Sequence, residues 1–203
     1  GIAVAIVASG NYLAGTIWPP VLPWAIDNYG WRDAYIAIGI LCIVTMLPLA
    51  FVLQRRPAVE THHAAAQNGA HEKVPAPSYL QGLVMFAGIC CCVAMSMPQV
   101  HLVAYCIDLG YGPARGAAML SVLLGTGVIS RLGSGLIADK IGGVGTLILG
   151  STLQCVTLIF YLPFNGLTSL YVVSALFGLA QGGIVPSYAL IVREYFPARQ
   201  AGV

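Results

Sequence analysis

The side chain with the most chemical potential in this chain of 203 residues is Arg131. It stands in a stretch of apolar and small residues, about seven residues or ~11 Å from the inner end of a helix that the pattern places over 114–138. A guanidinium there keeps its charge, is costly to surround with hydrocarbon, and can grip a carboxylate through two parallel hydrogen bonds, which an ammonium cannot match. Gly127, Ser134, Gly135 and Ala138 share its helical face or lie near it, leaving room for a ligand or a closely packed helix. The chemistry is then anion binding without covalent catalysis. The competing reading is an arginine that snorkels to the inner interface.

Weaker candidates lie in other apolar runs. In the helix expected over 79–105, Pro98 invites a kink, Gln99 and Ser96 occupy one face, and Met97, His101 and Tyr105 another. Ser174, Gly178, Gln181 and Tyr188 form a stripe on the helix over 168–192, and GGIVP at 182–186 can loosen its backbone where it lines a cavity. Asn11 and Gly15 sit four apart near the start. The substrate-binding candidates are therefore Arg131, Gln181, Tyr188, Gln99 and Asn11; each polar one can equally serve as inter-helix glue. His101, and Asp108 just beyond the end of its helix, are the proton-coupling candidates. No metal site or cofactor is expected. Cys90, Cys91 and Cys92 point about 100° apart on a helix, and His62, His63 and His71 read as solvated. No His–Glu or Asp–Asp cluster within the spans suggests an enzyme.

These residues need a membrane to hold them. Only 8% of the chain is charged, against about 25% in an ordinary soluble domain, and 58% is apolar. A soluble enzyme, a disulfide scaffold and a nucleic-acid binder are all disfavoured, and the net charge of +2 argues for no polyanionic partner. The fold class is all-α integral membrane, with six spans near 3–26, 34–54, 79–105, 114–138, 144–163 and 168–192. Pro163, Asn165 and Gly166 break the longest charge-free stretch. Residues 55–78, rich in Ala, His, Gln, Glu and Pro, read as a linker between two helices in 1–54 and four in 79–203. Arg55, Arg56, Lys73, Lys140, Arg193 and Arg199 flank one side, while the opposite connectors hold Arg32 and Arg115. That bias puts both ends and the linker in the cytoplasm. Trp18, Trp24, Tyr29, Trp31 and Tyr35 gather at the outer face as an interfacial belt.

Beyond Arg131 runs GLIADKIGG, residues 135–143, with Gly135, Asp139, Lys140 and Gly142 at a tight cytoplasmic turn. This resembles the loop motif of the major facilitator superfamily, although Gly143 and Val144 replace the usual basic residues. GWRDAY at 30–35, the basic linker, the arginine eight residues before Asp139, and REYFPARQAG at 193–202 extend the resemblance to the whole chain. It is similar to helices five to ten of a twelve-helix facilitator, especially the monocarboxylate transporter and oxalate–formate antiporter branch. The resemblance implies alternating-access transport of a small organic anion, Arg131 on the substrate carboxylate, and a conformational latch at Gly135, Asp139, Lys140 and Gly142. It also implies residence in the plasma or inner membrane and no enzymatic activity. Where many proton-coupled members carry an acid one turn before the arginine, this chain has Gly127. A coupled proton would then rest on His101, Asp108 or residues elsewhere. The alternatives are a facilitator for a neutral substrate or drug with Arg131 structural, and a membrane receptor that does not transport. Gly1 reads as the cut end of a longer protein.

The sidedness gives a direct prediction. In the full-length protein, Ala66→Cys should react with an impermeant thiol reagent only after the membrane is permeabilised. Labelling of sealed cells from outside would reverse the topology.

Overall fold

The computed structural model describes residues 2–53 and 78–196. The linker up to Pro77, with its three histidines, and the tail containing Arg199 lie outside the described residues. The secondary structure among those described is entirely helical: α1 (Ile2–Leu53), α2 (Ser78–Asp108), α3 (Pro113–Phe160), α4 (Leu167–Gln181) and α5 (Ile184–Tyr195). Four stretches are long and apolar enough to cross a membrane: Ser9–Phe51, Tyr79–Asp108, Pro113–Phe160 and Leu167–Tyr195. At about 1.5 Å per residue the first and third are each long enough for two crossings.

Glycines supply the breaks. α1 loses helical geometry at Gly30 (φ 80°, ψ 159°) and α3 at Gly142 (φ 77°, ψ 171°), conformations that a side chain rarely tolerates. These fall where the sequence places its outer and cytoplasmic connectors, yet the chain on both sides of each glycine is helical, so each connector shrinks to one residue. α3 starts on Pro113, whose missing N–H costs nothing at a first helical position. α4 and α5 are separated only by Gly182 and Gly183.

The described residues form two compact units, 2–21 together with 78–196, and 22–53. In the second, Trp24 and Tyr29 meet edge to face at 6.1 Å and Arg32 lies over the Trp31 ring at 5.2 Å. Most of its large apolar side chains, such as Ile36, Met46 and Phe51, are exposed. In the first, Leu102 and Cys106 of α2, Met119 and Leu123 of α3, and Leu170 and Phe177 of α4 form a fully enclosed cluster.

The closest packing in that unit is between α3 and α4. A Cβ on Gly178 would collide with the Leu123 carbonyl and the Thr126 hydroxyl, and one on Gly182 would come within 2.6 Å of the Gly127 carbonyl. Through that narrow gap α3 donates to α4 backbone carbonyls: Thr126 Oγ1 to Ala175 at 3.0 Å, and Ser130 Oγ to Leu179. Glycines let the backbones approach, and the hydroxyls then reach carbonyls across the seam.

Gly178→Ala should therefore lower the thermal stability of the detergent-solubilised full-length protein by an amount corresponding to about 1–3 kcal/mol of overpacking. Gly133→Ala, whose Cβ meets nothing within 4 Å, should change it little. Equal behaviour of the two would contradict the close seam.

Candidate functional site

Arg131 occupies the first half of α3, next to the seam residue Ser130, and is only 3% exposed. Its Nε donates to the carbonyl of Gly182 at 3.2 Å, just past the end of α4 and in line with the carbonyls of Ala175 and Leu179. The Tyr12 ring of α1 covers the guanidinium, with its centroid 4.2 Å from Cζ, a cation–π contact made stronger by burial. Gly127 admits that ring: a Cβ there would lie 2.5 Å from two of its carbons. The space beside Gly127 is thus occupied by an aromatic face from another helix. Ser134, one turn on, bonds back to the Arg131 carbonyl at 2.9 Å and packs against Gly183.

Arg131 helps to line a cavity of about 510 Å³ with Asn11, Tyr12, Trp18, Met95 and Gln99. Gln99 Nε2 donates to Gln181 Oε1 at 3.2 Å, so the fully buried Gln181 reaches the cavity wall through its partner. Gln181 Nε2 and the Tyr12 hydroxyl are buried polar atoms with no hydrogen-bond partner among the described residues. The arrangement is a cation, two amides and two aromatic rings around an otherwise apolar space. It can orient a group that accepts hydrogen bonds and shelter an apolar body.

Of the substrate-binding candidates, Arg131, Asn11, Gln99 and, indirectly, Gln181 come together. Tyr188 does not line this cavity and lies beside Cys91, which itself approaches Ser151 at 3.6 Å. His101 turns to a second cavity of about 570 Å³ with Tyr105 and Asn165, on the other face of α2. Asp108 is exposed as the last residue of α2. Ser174 is taken up by the Tyr161 hydroxyl at 3.0 Å, and Gly178 by the seam, so most of the stripe on α4 is packing. In the loop motif Gly135 is buried, Asp139 and Lys140 are exposed, and Gly142 makes the break in α3. No group of three or more His, Cys, Asp or Glu among the described residues could hold a metal.

Two residues of this site escape a reading of the sequence. Tyr12 looks like one more aromatic in an apolar run, although Ser9, Asn11, Tyr12 and Thr16 cluster polar atoms there. Trp18, grouped by composition with the interfacial belt, lines the cavity.

The family model of the Major Facilitator Superfamily matches residues 1–203. The chain belongs to the major facilitator superfamily. It is accordingly a multi-pass integral membrane protein of a transporter family, not of an enzyme family. Monocarboxylate transporter 13 of Rattus norvegicus is 25% identical over 202 residues, covering 95% of this chain and 45% of that protein. The agnestins efflux protein AgnL12 of Paecilomyces divaricatus is 24% identical over 210 residues, covering 100% and 46%. An MFS-type transporter of Gibberella moniliformis is 28% identical over 182 residues, covering 89% and 43%. The chain therefore spans less than half the length of these relatives. No solved structure matches it significantly.

Proposed function

We propose that the whole protein is a secondary transporter of small organic anions, of monocarboxylate type, working by alternating access between two helical halves. In this reading α1 supplies two spans of the first half, residues 55–78 join the halves on the cytoplasmic side, and 79–203 supply four spans of the second. Both ends of the segment are cytoplasmic and the protein resides in the plasma or inner membrane. The observation that carries the reading is the burial of Arg131 in the wall of a mostly apolar cavity. An intramembrane cation at that depth is costly unless it meets negative charge at some point in the cycle. Trp18, Tyr12 and Met95 give the cavity wall beside Arg131 apolar surface, which suits carboxylates with an apolar body. Asn11, Gln99 and Gln181 would bond the polar end of such a substrate, with Tyr188 outside this group. His101 and Asp108 lie away from Arg131, so a coupled proton would travel a separate route.

A second reading keeps the transporter and makes Arg131 structural, with a neutral substrate. It is favoured by the contacts that the guanidinium already makes with Gly182 and Tyr12, and by similarity to the agnestins efflux protein. The two readings separate on Arg131→Lys in the full-length transporter. For anion binding the lysine keeps the charge and loses the fork, so uptake of lactate or benzoate should fall about tenfold or more. Arg131→Ala should abolish saturable uptake with the protein still inserted in the membrane. Undiminished uptake in Arg131→Lys with unchanged affinity in Arg131→Ala would leave the structural reading.

Asp139 and Lys140, exposed one turn before the break at Gly142, are proposed as a latch that biases inward and outward states. Asp139→Asn should alter the accessibility of cysteines placed at the two mouths and leave carboxylate affinity nearly unchanged. Weakened binding at unchanged accessibility would contradict the latch.

A further inference from the structure

The carbonyl that Arg131 holds is not an ordinary helical carbonyl. In a continuous helix Gly182 O would receive the N–H of the fourth residue on, which is Pro186 and has none. The next position behaves normally: Gly183 O accepts both the Ser187 N–H at 3.3 Å and its hydroxyl at 2.7 Å. The backbone at Gly182 (φ −58°, ψ −32°) and Gly183 (φ −85°, ψ −13°) stays close to helical, and Pro186 has no N–H to offer Gly182 O. Gly182 is fully enclosed, with the Gly127 carbonyl and the Arg131 backbone nitrogen within 2.8 Å of where its Cβ would be. That close approach brings the Arg131 side chain within reach of the carbonyl left open.

We propose that Pro186 is a positioning residue for Arg131: by withholding an N–H from Gly182 O, it leaves that carbonyl dependent on Nε as its donor and so holds the guanidinium beneath Tyr12. The anchor is local to the break between α4 and α5. The functional part of this role rests on the anion-binding reading; the anchoring itself does not.

The test uses the full-length protein in detergent and four forms of it: wild type, Arg131→Met, Pro186→Ala and the double variant. Removing the guanidinium leaves a buried carbonyl unsatisfied only while Pro186 is present. Arg131→Met should lower Tm in the wild-type background, and by about half as much or less in the Pro186→Ala background, where the restored N–H serves Gly182. Additive Tm shifts would overturn the anchor, and so would failure of Pro186→Ala to yield folded protein, since alanine restores both a bond and helix propensity. Lactate and benzoate affinities, measured on the same preparations, read the positioning role. Pro186→Ala should weaken them at least about twofold. Coupled Tm values with unchanged carboxylate affinity would overturn positioning and leave only packing. Coupled Tm values in a wild type that binds neither acid would instead refute the anion reading and spare the anchor.

Discussion

A buried guanidinium is the constraint around which this part of the molecule is arranged. Arg131 cannot shed its charge, and at 3% exposure it has lost nearly all its water. The surroundings replace that water piecemeal: a backbone carbonyl in the plane of the group, an aromatic face above it, and a polar-edged cavity beside it. Each replacement imposes a demand elsewhere. The carbonyl needs α4 to approach α3 without a side chain between them, which Gly178 and Gly182 allow. The aromatic face needs Gly127. Losing any of these leaves a charge or an acceptor stranded in a low-dielectric interior.

The α3–α4 seam generalises the same physics. Between helices in lipid, apolar contact gives little preference for one neighbour over another, so association depends on tight packing and polar bonds. Here the bonds run one way, from Thr126, Ser130 and Arg131 to Ala175, Leu179 and Gly182. Two carbonyls in that row retain a possible helical donor, while Pro186 removes the donor of the third. The strongest donor on α3 is matched to the neediest acceptor on α4. The seam runs from hydroxyl donors at Thr126 and Ser130 to the arginine at the break between α4 and α5.

Much of this was legible from residue types. The membrane class followed from the charge deficit, the loop motif from its glycines and Asp139, and the interest of Arg131 from its solitary charge. The breaks at Gly30 and Gly142 lie within expected connectors, but the sequence could not show that one glycine suffices for each. A single positive-φ residue redirects the chain while helical hydrogen bonding continues on both sides. Gln99 and His101 were separable because residues two apart on a helix face different neighbours, and they line different cavities. Tyr12 was not legible: a tyrosine in an apolar run gives no sign that its ring will lie over a cation more than a hundred residues away. Tyr188 shared a stripe with Gln181 on an uninterrupted helix, and the break at Gly182 and Gly183 intervenes between them.

Negative charge is what the proposed anion site must recognise, and this can be measured without altering the protein. Calorimetric titration of the full-length protein with benzoate and with benzamide compares two ligands of nearly one shape, of which only one offers a carboxylate to a guanidinium. The account predicts that benzoate binds at least about tenfold more tightly, because a charge-assisted pair is lost in the amide. Equal affinity of the two, or preference for benzamide, would contradict it.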